Sequence, residues 1–331
     1  MKSYRTRLVT TAKKLGVLAG VTACVLSLSQ CGSGPSDPGR EPSRESRSPA
    51  GSPPDGRPAD GLERRITDYT AGFDEDTGYR RPTRGDRRTL AASVALLLDG
   101  KRTAAEHHLA DVDFAVRTVE DPVGGRRYAE IADRSEGGAA PRGWGRVYID
   151  LDSPVRWSAQ VPHPVADRYT EQLGARLLSR SPGGILVIAG AHREAGRGDT
   201  ADVAHRRDSV FHAICAELVR RGLPGVQLHG MADDSAPKHD VVASTGRGRH
   251  AVSEGRGLAD ALRERGFDVC RAWARSCPLE GRSNVQGRAA AFHDVPWLHV
   301  EFGPGLREDP SRARQAVEAL ADVTRTWRRR D

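Results

Sequence analysis

The chain has 331 residues, a formal net charge of +7 and an aromatic content of 5%. This length fits one sizeable α/β domain with a smaller N-terminal part, once a leader and a tether are set aside. The arginines are scattered through every segment, the aromatic residues are not interleaved with them and no recognition motif occurs, so we expect no nucleic-acid binding. The basic balance instead favours affinity for acidic polymers of a cell envelope.

The first residues have the pattern of a secretory leader. Basic residues between positions 2 and 14 precede an apolar run over residues 15–28, which is too short for an ordinary membrane span. The run ends just before Cys31, in a pattern that resembles a bacterial lipobox. Cys24 fits a lipobox better by the type of its neighbours, but it would leave residues 25–28, which are apolar, on the mature side. We predict a lipoprotein signal peptide over residues 1–31 with lipidation at Cys31, and ordinary secretion as the alternative.

The rest of the chain divides by composition into three parts. Residues 32–60 are Gly, Pro, Ser and charged residues with almost no apolar ones, which predicts a disordered tether. Residues 61–152 predict a small α+β appendage, with helices over 86–98 and 103–109 and strands over 113–119, 126–132 and 146–152. Residues 153–331 predict an α/β catalytic-type domain. We expect the tether to hold this domain outside the cytoplasmic membrane of a bacterium, through the lipid anchor.

Strands and helices alternate in the predicted α/β domain. The strands are predicted over 155–161, 185–189, 226–228, 241–244, 267–273 and 297–300, and the helices over 166–179, 201–221, 258–265 and 310–327. Helices separate most of the strands, which is typical of a mixed, mainly parallel sheet flanked by helices.

Polar residues follow or end several of these strands. His163, His192 and His229 come at the ends of three apolar runs, and Glu301 ends a fourth. The carboxyl ends of parallel strands gather at one edge of a sheet, where ligands bind. Two histidines with a carboxylate are the ligands of a catalytic zinc centre. We predict His163, Asp167 and His229 as zinc ligands and Glu301 as the base that accepts the proton of the attacking water. We interpret the neighbouring His299 as a packing residue that points away from Glu301.

Several arginines are candidates for binding an acidic substrate. Arg193 directly follows a strand, beside His192, and its planar guanidinium suits a carboxylate. We therefore predict His192, Arg193, Arg206 and Arg282 as substrate-binding residues. The alternatives are a solvated helix face with ion pairs around Arg206 and an ordinary loop over residues 282–288.

The cysteines beyond the leader favour one disulfide. Outside the cytoplasm Cys270 and Cys277 can pair across a short loop. Cys215 lies on the apolar face of a predicted helix and is expected to be a buried small hydrophobe. Because the chain has no Cys-x-x-Cys pair, a cysteine-rich structural zinc site is not supported.

Short motifs in a fixed order carry a family resemblance. Four of them are Val161-Pro162-His163, Asp202-Val203-Ala204-His205-Arg206, Leu228-His229-Gly230 and His299-Val300-Glu301. This order resembles that of N-formylglutamate amidohydrolases, over roughly residues 155–327. The resemblance implies an architecture shared with zinc carboxypeptidases and poly-γ-glutamate hydrolases. It also implies hydrolysis of an amide bond next to an acidic residue, in an N-acyl-glutamate, a γ-glutamyl polymer or a cell-wall peptide.

Two other classes of function remain open. A binding lipoprotein on the same scaffold, without metal or catalysis, is the main alternative, and the metal content of the protein distinguishes it from an enzyme. A serine hydrolase is weakly supported, because no Gly-x-Ser-x-Gly motif is present.

Overall fold

The computed structural model describes residues 61–135 and 141–329. The predicted signal peptide, the predicted tether and the two candidate lipidation sites Cys24 and Cys31 lie outside the described residues. Within the described ranges, no helix is both long enough and apolar enough to cross a membrane.

The described chain contains nine strands and nine α-helices. The strands are β1 Phe114–Asp121, β2 Arg126–Asp133, β3 Arg146–Asp150, β4 Trp157–Val161, β5 Gly184–Ile188, β6 Gly225–Gly230, β7 Val241–Ser244, β8 Val269–Arg271 and β9 Trp297–Phe302. The helices are α1 Leu62–Thr70, α2 Arg84–Leu98, α3 Arg102–Ala110, α4 Thr170–Arg180, α5 Val210–Arg220, α6 Val252–Glu264, α7 Val285–Phe292, α8 Pro304–Arg307 and α9 Pro310–Arg328.

All nine strands join one mixed sheet in the order β1-β2-β3-β5-β4-β6-β9-β7-β8. The central strands β5, β4, β6 and β9 run parallel, while β1, β2 and β3 extend the sheet from β5 by antiparallel pairing. The predicted α/β class, with a mixed sheet flanked by helices, is confirmed. Residues 61–152, predicted as an appendage, contain α1–α3 and contribute β1–β3 to this same sheet.

The central strands have two different faces. On one face Val161, Leu228 and Val300 belong to a large apolar core that α4, α6 and α9 cover. The alternate residues, such as Gln160 and Gln227, point to the other face and are buried although they are polar. Because the side chains of a strand alternate between its two faces, the strands β4, β6 and β9 supply both the core and a buried polar layer. The predicted site residues His229 and Glu301 belong to the polar layer.

Two predicted helices begin later than the sequence pattern indicated. The helix predicted from residue 201 begins at Val210, because the Ser209 hydroxyl accepts a hydrogen bond from the His212 N–H at 3.1 Å and caps the helix there. A short 3₁₀ turn, Gly198–Ala201, precedes it. The helix predicted from residue 166 begins at Thr170. In both cases the residues lost from the helix form a loop that holds a carboxylate of the candidate site.

Other differences involve short or glycine-containing elements. Helix α1 was not predicted, and α6 begins six residues before its predicted start at 258. The polar segment 282–288 is not simply a loop, because α7 begins within it at Val285. The Asn284 side chain caps α7 by accepting from two backbone N–H groups. At the sheet edge, β8 spans only Val269–Arg271 of the strand predicted over 267–273.

The predicted disulfide is present between Cys270 and Cys277. Cys215 is a free, fully buried thiol in α5, as expected for a small packing residue, and burial raises the pKa of that thiol.

Candidate metal centre

Three predicted ligands meet around one carboxylate oxygen. The Oδ2 atom of Asp167 lies 3.3 Å from Nδ1 of His163 and 3.1 Å from Nδ1 of His229. One ligand atom from each of the three residues falls within 4.8 Å of the other two, and all three residues are buried. The structure therefore brings His163, Asp167 and His229 together at the carboxyl ends of β4 and β6, as their positions after strands predicted.

The turn after β4 fixes the position of Asp167. The Asp167 N–H donates to the His163 carbonyl at 2.9 Å, so the two side chains leave the same turn. Val165 and Tyr169, two residues to either side of Asp167, have φ values of 68° and 70°. Such values are uncommon for non-glycine residues, and a β-branched residue rarely adopts them. Unfavourable backbone conformations of this kind cluster at functional sites.

The outer nitrogen of each histidine has a hydrogen-bond acceptor of its own. Nε2 of His163 lies 2.9 Å from Asp202 Oδ1, and Nε2 of His229 lies 2.7 Å from Gln227 Oε1. An amide oxygen only accepts hydrogen bonds, so the Nε2 atom of His229 carries a proton. In a neutral imidazole this leaves a lone pair on Nδ1, and Nδ1 faces the carboxylate of Asp167. Histidines that bind metals typically donate their other N–H to a carboxylate or carbonyl in this way.

Burial and mutual contacts shift the pKa values of all three residues of the group. Burial raises the pKa of Asp167, but its contacts with the imidazoles of His163 and His229 outweigh this and hold the pKa below its ordinary range. Burial and the neighbouring His299 lower the pKa of His229, so its neutral form faces an ionised carboxylate. Burial lowers the pKa of His163 as well, but its bonds to Asp167 and Asp202 more than offset this and raise it.

These residues fit a zinc ion. Two imidazole nitrogens and one carboxylate oxygen form a ligand set of catalytic zinc sites, which keep a further position open.

Glu301 lies directly beside this group. In the parallel pair β6–β9, Glu301 is the register partner of His229. Its Oε1 atom lies 3.0 Å from Nε2 of His299, and Nδ1 of His299 is buried without a hydrogen-bond partner among the described residues. The proton of His299 is thus best placed on Nε2, where it is donated to Glu301.

The interpretation of His299 as a residue that points away from Glu301 is wrong. Residues two apart in a strand share a face, so His299 and Glu301 both belong to the polar layer. The ring centroids of His299 and His229 also lie 4.5 Å apart. Gly281 packs against the His299 ring so closely that a Cβ atom at this position would lie 2.6 Å from it.

Asp202 was not predicted as a site residue. Besides His163, its carboxylate binds Arg193 at 2.5 Å and His205 at 3.1 Å through Oδ2. Burial raises the pKa of Asp202, but hydrogen bonds from His163 and His205 outweigh it and lower the pKa. The segment 202–206 was given as one motif of the family resemblance, but no role in the site was predicted for Asp202.

The predicted substrate-binding residues have different environments. Arg193 contacts the site through Asp202 and keeps about a third (35%) of its side chain exposed. His192 is buried, and its Nδ1 accepts from the Glu194 N–H at 3.3 Å. Arg206 forms an ion pair with Asp208, and the exposed Arg282 forms one with Glu280. Their roles in substrate binding remain predictions, and Arg193 is the one tied to the group by a described contact.

A buried arginine that was not predicted lies close to the site. Arg307 donates to the carbonyl oxygens of Phe302 at 2.9 Å and Met231 at 3.0 Å. Phe302 is the last residue of β9, and Met231 directly follows β6. Burial lowers the pKa of Arg307, whereas the charges of Asp167 and Glu301 oppose this. Its charge therefore acts on both carboxylates, and its hydrogen bonds tie the two strand ends together.

Comparisons with known proteins found similarity only among solved structures. No protein-family model matches the chain, and no curated protein matches its sequence. The chain is similar to an N-formylglutamate amidohydrolase from Ralstonia eutropha, with 13% identity and a TM-score of 0.41 over 56% of this chain and 99% of that one. It is also similar to a metallo-carboxypeptidase from Pseudomonas aeruginosa, with 14% identity and a TM-score of 0.39 over 69% of each chain.

A third solved structure is a succinylglutamate desuccinylase from a Silicibacter species, with 13% identity and a TM-score of 0.37 over 60% of this chain and 65% of that one. At these identities and TM-scores the similarities carry no argument about activity or substrate.

Proposed function

We propose that this protein is a metal-dependent hydrolase that cleaves an amide bond next to an acidic group. The observation that supports it most is the orientation of two histidines. Both direct Nδ1 at the Oδ2 atom of Asp167, while both Nε2 atoms have acceptors of their own. A packing cluster does not require two imidazoles and a carboxylate to converge on one point, whereas a metal site does.

The residues around the group have distinct roles in this proposal. His163, Asp167 and His229 hold the cation, which when bound supplies Lewis-acid polarisation of the amide carbonyl and activation of a water. Glu301 accepts the proton of the attacking water and passes it to the leaving amine. His299 orients the Glu301 carboxylate by donating to Oε1, which leaves Oε2 for the water.

The acidic substrate follows from the arginines near the site. Arg193 is partly exposed and bound to Asp202, the acceptor of His163, so a carboxylate bound by Arg193 would lie close to the metal group. N-acyl-glutamates, γ-glutamyl polymers and peptidoglycan stem peptides offer a carboxylate near an amide bond. In our proposal the domain acts on such a substrate at the extracytoplasmic face of the membrane, through the lipid anchor predicted at Cys31.

Metal content tests the proposal directly. We expect about one zinc per chain in the wild-type protein and a loss of most of it in His229→Ala, since a catalytic site with two protein ligands left binds zinc weakly. His107→Ala, which removes an exposed histidine of α3, is the matched control and should keep its zinc. Hydrolysis of N-acyl-glutamate and γ-glutamyl peptides is measured on the same samples.

A wild-type protein that binds no divalent metal would refute the enzyme in this form. It would favour the alternative, a binding lipoprotein in which His163 is an imidazolium held between Asp167 and Asp202. Zinc binding without hydrolysis of either substrate would retain the metal site and reject the proposed substrates.

A further inference from the structure

A pocket of about 750 Å³ opens beside α5 and α7, and none of the predicted metal ligands lines it. Its lining includes Arg207 from the loop before α5, Arg247 from the loop after β7, and Arg288 from α7. The three arginines come from three separate segments of the chain, which the fold brings together. We call this the basic pocket.

The charge of the basic pocket is not neutralised by the protein. No residue that lines it carries a carboxylate. Within residues 61–135 and 141–329, none of Arg207, Arg247 and Arg288 lies within ion-pair distance of an Asp or Glu, in contrast to arginines such as Arg193 and Arg221. Asp294, which follows the lining residue His293, pairs with His250 instead. Like charges that share a pocket repel one another unless an anion lies between them.

His212 adds a neutral polar group to the wall of the pocket. Burial and the charge of Arg207 lower the pKa of His212 to about 4, so its imidazole is neutral near pH 7. Its Nδ1 atom lies 3.5 Å from the Gln286 side-chain nitrogen, which can only donate. The remaining proton is therefore on Nε2, which makes His212 a hydrogen-bond donor for an anion.

The rim of the pocket carries an exposed aromatic ring. Phe292 is 82% exposed and lies edge-on to the His293 ring, with 5.0 Å between centroids. A large apolar side chain with this exposure offers a contact for the apolar part of a ligand whose anionic part lies among the arginines.

We propose that the basic pocket binds a phosphate group. Guanidinium groups pair with phosphate by two parallel hydrogen bonds each, and a phosphate has enough acceptor oxygens to engage more than one of them. A single carboxylate would occupy one arginine and leave the others unpaired. The phosphate belongs either to a soluble phosphorylated molecule or to the headgroup of an anionic lipid, and the experiment distinguishes these sources.

The test compares two triple variants of the full chain. Arg207→Gln/Arg247→Gln/Arg288→Gln removes the charge of the pocket, and Arg84→Gln/Arg88→Gln/Arg117→Gln removes three exposed arginines of α2 and β1. Calorimetry measures inorganic pyrophosphate binding at low salt, after treatment with chelator so that phosphate cannot bind to zinc. We expect binding at least tenfold weaker in the pocket triple and within twofold of wild type in the control triple. Thermal unfolding checks that both triple variants are folded. If the pocket triple is not folded, Arg288→Gln alone replaces it.

Binding to vesicles of phosphatidylglycerol, compared with vesicles of phosphatidylcholine, identifies the source of the phosphate group. If the pocket triple loses pyrophosphate binding and also binds phosphatidylglycerol less than the control triple does, the ligand is a lipid headgroup. If it loses pyrophosphate binding alone, the ligand is a soluble phosphorylated molecule. Equal pyrophosphate affinity in the two triples, or no binding by the wild type, overturns the proposal.

Discussion

The two faces of β4, β6 and β9 differ in chemistry although the same strands form both. On one face Val161, Leu228 and Val300 pack into the apolar core. On the other face Gln160, Gln227 and His299 are equally buried but form a chain of hydrogen bonds and ring contacts that ends at the candidate metal group. Burial therefore stabilises the first face by removing apolar surface from water. The second face is stable only while its hydrogen bonds are satisfied.

The contrast separates residues that maintain the fold from residues that orient the site. A buried polar layer costs free energy wherever a donor or acceptor loses its partner. In this protein it fixes the protonated nitrogen of His229 and the carboxylate of Glu301. Substitutions on the polar face should therefore reduce activity or metal binding, whereas substitutions on the apolar face should reduce stability.

The largest expected effect is that of Glu301→Gln on the polar face. Glutamine keeps the size of the side chain and accepts from His299 but cannot accept a proton, so amide hydrolysis should fall by roughly 10²–10⁴-fold. Zinc per chain should stay the same. Glu120→Gln on the exposed edge of β1 is the control. A variant that keeps nearly full activity but melts earlier would show that Glu301 is structural.

The second effect is on stability and comes from the apolar face. Leu228 is fully buried, and Leu228→Ala should lower the free energy of unfolding by about 2–5 kcal/mol through lost burial and the cavity left behind. Denaturant unfolding measures it, with Leu151→Ala, at a side chain that is 41% exposed, as control. Zinc bound per folded chain should not change. If Leu228→Ala lost zinc without losing stability, the apolar face would act on the metal group and the contrast between the two faces would be wrong.

The third effect tests how the polar layer orients His229. Gln227→Met removes the acceptor of His229 Nε2, so zinc affinity should fall by about 10–100-fold, as for other partners of metal-binding histidines. Gln160→Met is the matched control, since Gln160 is as buried and bonds Gln227 without contacting His229. Both variants should lose about 1–3 kcal/mol of stability from unpaired buried groups. Equal zinc affinities in the two variants would contradict this role of Gln227.

The smallest effect concerns a charge on the apolar side of the sheet. Glu130 of β2 accepts from Arg65 at 2.7 Å and from Tyr148 at 3.1 Å. Burial raises its pKa, but the bond from Arg65 and the charge of Arg146 outweigh this and lower it. A depressed folded pKa contributes stability above the unfolded value of about 4.3, and that stability is lost as pH falls through the folded pKa.

Glu130→Gln should therefore reduce the free energy of unfolding by about 1–2 kcal/mol at pH 7, and the difference from wild type should shrink below about pH 4. Denaturant unfolding across pH 3–7 measures it. Glu106→Gln, in an exposed pair with Arg102, should change stability by less than about 1 kcal/mol at any pH. A difference that grows as the pH falls would contradict the assignment.

The sequence predicted the strands well because each is a compact apolar run between loops. β7 was predicted with its observed bounds, and β4, β5, β6 and β9 within a few residues. From these strands the meeting of His163, Asp167 and His229 followed, since strand ends gather at one edge of a parallel sheet. This part of the prediction depended only on local sequence patterns, namely apolar runs and the polar residues that follow them.

What the sequence did not reveal depends on contacts between distant segments. The segment 202–208 has the residues of a solvated helix, but Asp202 turns inward to bind His163, 39 positions earlier in the chain. Helix α7 was not predicted, because Gly287 and Gln286 interrupt the pattern expected of a helix. The Gln286 side chain packs inward onto Gln227. In an amphipathic pattern a buried polar residue counts as an exposed one, so the polar layer could not be predicted from periodicity.

The disulfide has a consequence for how this sheet meets other chains. An unpaired edge strand offers N–H and C=O groups to any extended segment, and proteins protect such edges by keeping them short or charged. At one edge β8 has only three residues, Val269–Arg271, and the Cys270–Cys277 bond draws the following chain back against it. At the opposite edge β1 is longer but carries the exposed side chains of Arg117 and Glu120. Reduction of the disulfide would thus remove the covalent link that holds the following chain against this edge.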